Sequence, residues 1–149
     1  MNNINLYIQE KLKIKSNTKI DSHDNTHLFR LLNDLISTGE SAVIFDDEEL
    51  QKEYHIYQMT IFFDENTGYI SLDKIIIEDK NQGYGTMFMQ DLCEWCDKNN
   101  KILTLTPSTD FGSSKGRLKS FYKNFGFKEN KGKNANFHTR DSMIRYPKK

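Results

Sequence analysis

The sequence has only two cysteines, no net charge and no apolar run long enough to cross a bilayer. It also lacks a basic-then-apolar signal pattern at its start, so the cytoplasm is the expected compartment and no membrane partner is expected. Gly-Lys-Ser and Gly-Lys-Thr triplets are absent, which excludes a Walker phosphate loop. The glycine pair Gly83 and Gly85 is not followed by a third small residue three positions on, because Phe88 stands there, so the dinucleotide fingerprint is excluded as well. The cysteines stand as Cys93-Glu94-Trp95-Cys96 inside a helical pattern rather than at a helix start, so they read as packing residues and not as a redox pair. His23 and His27 have helical spacing, but no nearby Cys or His completes a metal set, and a surface or capping role is expected.

What is present begins with size and aromatics. A chain of 149 residues fits one domain, residues 1–149, with a single core, and 18 aromatics (ten Phe, seven Tyr, one Trp) argue against disorder. The zero net charge conceals two unlike halves. Residues 1–110 carry 10 Lys/Arg against 19 Asp/Glu, and residues 111–149 carry 11 against 2. Such asymmetry marks either two solvated faces that attract one another or a surface for a polyanion.

The most informative stretch runs from Ser71 to Asn99. Leu72, Ile75, Ile76 and Ile77 form an apolar, β-branched strand, and Gly83 and Gly85 supply a turn that tolerates positive φ. From Thr86 to Lys98 the residues Met87, Met89, Leu92, Cys93, Trp95 and Cys96 recur at helical spacing. A helix that opens on glycines leaves main-chain N–H groups bare at its positive end, where phosphate groups are held well. The same glycines would also serve an ordinary strand-to-helix turn.

Elsewhere the pattern predicts a helix from Thr26 to Ile36 that stops at Thr38-Gly39, a short strand from Ser41 to Phe45, and an acidic helical turn or loop from Asp46 to Glu53. His55–Asp64 and the strand opening at Tyr69 form an antiparallel hairpin around Glu65-Asn66-Thr67-Gly68. Ile102–Thr106 reads as a buried strand, Ser108–Lys115 as a polar loop and Gly116–Asn124 as a helix. A strand begins at Phe127, a basic turn spans Asn130–Asn136, and a last strand spans Phe137–Tyr146. Residues 3–14 fit either a strand or a helix.

Two of these segments resemble motifs of the GNAT N-acetyltransferase superfamily. Lys80-Asn81-Gln82-Gly83-Tyr84-Gly85 resembles the acyl-CoA loop Arg/Gln-x-x-Gly-x-Gly/Ala, with lysine in the place of the first residue. Leu118 to Phe127 resembles the family's helix ending in Tyr-x-x-x-Gly-Phe. The stretch from Thr106 to Asn134 is also similar to small GNAT domains of phages and mobile elements. The resemblance implies an α/β (α+β) fold with a mostly antiparallel sheet splayed between two central strands and flanked by helices.

It further implies an acetyltransferase that uses acetyl-CoA as co-substrate and moves the acetyl group to a primary amine of a small molecule or protein. Ile75, Ile76 and Ile77 would then offer their free edge to the pantetheine arm, facing Leu103–Thr106 across the gap. Lys80, Gln82, Gly83, Tyr84, Gly85 and Thr86 would surround the pyrophosphate. Tyr122 matches the residue that protonates the departing thiolate, and Asp73 is a candidate base. Lys115, with Ser113 and Ser114 upstream, stands where the family has an asparagine that contacts the cofactor. Two rival readings follow from the departures at Lys80 and Lys115 and from the basic C-terminal end: a silent GNAT-fold binding module, and an acetyltransferase acting on a tRNA-linked amine. Neutral overall charge ranks nucleic acid low as a partner, and the oligomeric state, homodimer included, is open.

Overall fold

The computed structural model describes residues 26–39, 42–78, 82–108 and 114–149. The ambiguous stretch 3–14 and His23 lie outside the described residues. In chain order the elements are α1 (Thr26–Thr38), β1 (Ala42–Phe45), α2 (Glu48–Tyr54), β2 (Ile56–Asp64), β3 (Tyr69–Ile77), α3 (Tyr84–Lys98), β4 (Leu103–Leu105), α4 (Lys115–Lys123), β5 (Lys128–Glu129) and β6 (Met143–Arg145).

The strands form one six-stranded sheet in the order β1-β2-β3-β4-β6-β5. Every neighbouring pair is antiparallel except β3 with β4, which are parallel. A parallel pair needs a crossover, and α3 is that crossover. The fold is therefore mixed α/β, as the sequence implied.

Local chemistry explains the elements. Leu28, Leu32 and Leu35 fall on one stripe of α1 and are buried. Asp47 caps α2 by accepting the Leu50 amide at 3.0 Å, and His27 Nε2 reaches the same carboxylate at 2.9 Å. In the hairpin turn Asp64 accepts the Asn66 amide, and Gly68 closes the turn with positive φ. The buried face of α3 carries Phe88, Met89, Leu92, Cys93, Trp95 and Cys96. It meets Ile61, Ile70 and Leu72 of the sheet and the leucines of α1 in one core.

Both cysteines are buried there and burial raises their thiol pKa values, that of Cys93 to about 11, so both stay protonated packing groups. Two polar contacts cross this core. Tyr54 donates its hydroxyl to buried Asp91 at 2.6 Å, and the Trp95 indole donates to Asn33 Oδ1.

One element departs from the pattern reading. The last strand is only Met143–Arg145, whereas Phe137–Ser142 is turn and loop. Side-chain amides take over its main chain. Asn130 Nδ2 donates to the carbonyls of Asn136 and Asp141, Asn130 Oδ1 accepts the Asn136 amide at 2.6 Å, and Asn136 Oδ1 accepts the His138 amide. Asparagine competing for main-chain groups in this way displaces a ladder.

Candidate functional site

The α3 helix begins on an open turn. Gly83, its N-cap residue, sits at φ +86° and makes no side-chain cap. The first helical bond runs from the Met87 amide to the Gly83 carbonyl, so the amides of Tyr84, Gly85 and Thr86 have no partner within the helix. A Cβ on Gly83 would meet nothing within 4 Å, so its glycine is required by backbone conformation. Gly85 differs: a Cβ there would sit 3.7 Å from Ile77 Cδ1 and from Phe121 Cζ, an ordinary contact. The intervening Tyr84 is buried and stacks on His55, with ring centroids 3.9 Å apart and planes 10° apart. His55 ends α2 in a left-handed conformation and its carbonyl accepts the Glu78 amide, so the turn is tied to α2.

Next to this turn the sheet opens. β3 and β4 pair only from Ile70–Leu72 to Leu103–Leu105, and β3 then continues alone to Ile77. The register between β2 and β3 shifts at the point of parting: Thr60 faces Lys74 and Ile61 faces Leu72, which leaves Asp73 as a bulged residue. A bulge bends its strand and sharpens the twist, which carries β3 away from β4. Ile75–Ile77 thus keep their partners on β2 and, among the described residues, have no strand paired on their other edge.

The outward side of the same strands floors a cleft of about 350 Å³, lined among others by Phe62, Asp64, Tyr69, Asp73, His138 and Asp141. Asp141 closes its end. Its Oδ2 accepts the hydroxyls of Thr104 (2.7 Å) and Ser71 (3.0 Å), and its Oδ1 accepts that of Thr106 (2.9 Å). Ser71 also reaches Asp73 Oδ1 at 2.6 Å. One carboxylate therefore ties β3 to β4 at their last shared rungs.

On the other flank α4 is capped by Ser114, whose Oγ accepts the Arg117 amide. Its Phe121 ring touches the α3 start, as seen at Gly85. Tyr122 packs edge-on between Phe121 (5.1 Å) and Phe127 (5.7 Å). Burial raises the Tyr122 pKa, so the phenol carries its proton at neutral pH. Its hydroxyl has no hydrogen-bond partner among the described residues.

No protein-family model matches the sequence, and no curated protein matches it. Among solved structures, the anti-CRISPR protein AcrVA5, of GNAT fold, matches with a TM-score of 0.50 at 15% identity, over 70% of this chain and 97% of that one. The fold is GNAT-like. A GNAT-family acetyltransferase from Staphylococcus aureus Mu50 also matches, with a TM-score of 0.46 at 18% identity, over 98% of this chain and 91% of that one.

In this GNAT-like frame the sequence-derived residues fall into two groups. Ile77, Gly83, Tyr84, Gly85 and Thr86 gather with Phe121 at one end of the opening, Gln82 stands exposed just before them, and Ile75 and Ile76 lie along its edge. Asp73 lies in the cleft on the outward side, which Tyr122 does not line. Lys80 and Ser113 lie outside the described residues; Lys115 is described only as the first residue of α4. Ser114 is engaged as a helix cap. The stretch Leu103–Leu105 lies beside Ile70–Leu72, not across from Ile75–Ile77, because the strands part before those isoleucines are reached.

Three participants were not apparent in the sequence: Asp141, His55 and Phe121. Only Phe121, adjacent to the matched tyrosine, had a local signal.

Proposed function

We propose that this chain is an acetyl-CoA-dependent N-acetyltransferase acting on a cationic primary amine. The observation that carries the reading is the juxtaposition of three features: an uncapped helix start, a strand edge released by a bulge, and an acidic cleft on the far side of the point where the strands part. The amides of Tyr84, Gly85 and Thr86 suit a diphosphate, since bare N–H groups and the helix dipole favour negative charge there. The free edge of Ile75–Ile77 offers main-chain groups to an extended amide-bearing arm, as an unpaired strand edge does.

The thioester supplies an activated acetyl carbon. The amine nitrogen forms the new bond to that carbon as the carbon–sulfur bond breaks. Asp73, in the cleft, would take the proton the ammonium must lose before its nitrogen can attack, directly or through one water, and the second proton, shed by nitrogen as the amide forms, would restore the one Tyr122 gives up. The Tyr122 hydroxyl would give its proton to the departing thiolate, and a phenol whose pKa is held up by burial is in the right form to do so. The cleft carboxylates would draw in a cation.

Titration calorimetry with acetyl-CoA tests the binding half; absence of binding up to about 1 mM would refute it. Steady-state turnover of Tyr122→Phe tests the chemical half. Loss of general-acid help should lower kcat by about a hundredfold with acetyl-CoA affinity retained, and an unchanged kcat would remove Tyr122 from the reaction.

A further inference from the structure

The cleft has a rim that a small amine would not use. Among the described residues, the large hydrophobic side chains left exposed are Phe62 (39%), Tyr146 (41%) and Phe137 (89%). Each is linked to the cleft. Phe62 lines the cleft, and Phe137 directly precedes His138, which lines it too. Tyr146 shares the Asn136 side-chain amide with Tyr69, a cleft residue, at 3.4 and 2.9 Å.

Phe137 is exposed although its loop is well held. The Asn130 and Asn136 bonds described above fix the main chain on both sides of it. Asp141, three hydroxyls around its carboxylate, anchors the loop's far end. A loop fixed at this many points presents its phenyl ring outward as a preformed feature, which is how recognition anchors are built.

We propose that this rim docks a polypeptide, one of whose lysine side chains enters the cleft; the proposal rests on the acetyl-transfer reading and names its acceptor class. Charge selects the occupant. Among the described residues, Asp64, Asp73 and Asp141 line the cleft against the guanidinium of Arg140, which suits an ammonium group. A nucleic-acid acceptor would bring phosphates against those carboxylates. Reach selects it further. A free polyamine or amino acid is accommodated within about 350 Å³ and leaves Phe137 in water, whereas an extended peptide continues past the cleft mouth onto Phe62 and Phe137. Arg140, exposed at the same edge, fits an acidic residue next to the lysine.

The test uses the whole chain and an array of ten-residue peptides, each with one central lysine and varied flanks, beside free lysine and spermidine. Binding is read by fluorescence polarisation without acetyl-CoA, and transfer is read with labelled acetyl-CoA. A subset of peptides with apolar flanks should bind, and Phe137→Ser should weaken that binding at least about tenfold, the loss of an anchor side chain. Phe137→Leu should recover most of it. Peptide binding that depends on Phe137 without any transfer would uphold the surface and overturn the chemistry. Transfer to spermidine or lysine with no Phe137-dependent peptide binding would uphold the chemistry and overturn the surface.

Discussion

Replacing Asp141 by alanine separates the energetic role of this carboxylate into parts that the structure already ranks. It accepts three hydroxyls, but they are unequal. Thr106 is exposed, so water replaces its lost partner at little cost. Ser71 keeps Asp73 at 2.6 Å. Thr104 is 1% exposed and has no other acceptor among the described residues, so its hydroxyl is stranded. A buried hydroxyl left unpaired costs about 1–3 kcal/mol, so Asp141→Ala should lose about 2 kcal/mol, nearly all of it through Thr104. For a chain of this length that is a fall of about 4–8 °C in Tm.

Asp141→Asn keeps one acceptor for Thr104 and should lose less than about 1 kcal/mol. The decisive variant is Thr104→Val. Added to Asp141→Ala it removes the stranded group with its shape preserved, so the double variant should recover at least about half of the loss. Urea unfolding of the four proteins measures this cycle. A double variant no more stable than Asp141→Ala, or an alanine variant within about 0.5 kcal/mol of the parent, would refute the assignment.

Two further perturbations bear on the frame around the site. Arg145, 3% exposed, donates to Asp97 through Nη1 (2.8 Å) and Nη2 (3.0 Å) and to the Phe125 carbonyl through Nε, so Asp97→Ala leaves a buried cation unpaired and should cost about 3 kcal/mol in urea unfolding. Burial pushes the Asp97 pKa up, but the Arg145 hydrogen bonds and charge and the Lys148 amide outweigh it and hold the carboxyl below its ordinary value. The stability it confers is therefore complete above pH about 4 and lost as pH falls through the lower folded value; Asp97→Asn should flatten that acid limb, and an unchanged limb would contradict the pairing. At the helix start, Gly83→Ala should cost about 1–2 kcal/mol because φ is positive, whereas Gly85→Ala should be neutral or stabilising by up to about 1 kcal/mol. Thermal melts of the two variants check the order, and its reversal would mean that close packing, not conformation, sets these positions.

The two halves of the proposed reaction differed in how far they could be read from residues alone, and the difference is physical. The α3 start is made of main-chain amides. Those need only a strand, glycines at a fixed offset and a helical period, all of which lie within one short stretch, so local pattern sufficed. The outward cleft is assembled from side chains of distant segments: Asp141 meets Ser71, Thr104 and Thr106 across 70, 37 and 35 residues. Serine, threonine and aspartate are ordinary surface residues until folding brings them together, and no periodicity marks them. The Arg145–Asp97 pair, 48 residues apart, was hidden for the same reason.

The misreading of Phe137–Ser142 as strand is the instructive case. An aromatic followed by β-branched and polar residues has the composition of a strand, yet the competing hydrogen bonds come from Asn130 and Asn136, outside the segment being read. Those amides do more than end a strand. Had Phe137–Ser142 joined the ladder, Phe137 would sit in a sheet and Asp141 would be displaced from the β3–β4 junction. The feature least visible in the sequence thus both closes the cleft and displays its rim. On the proposed reading, acceptor choice would be set by long-range contacts, and the grip on the acyl donor by short-range ones.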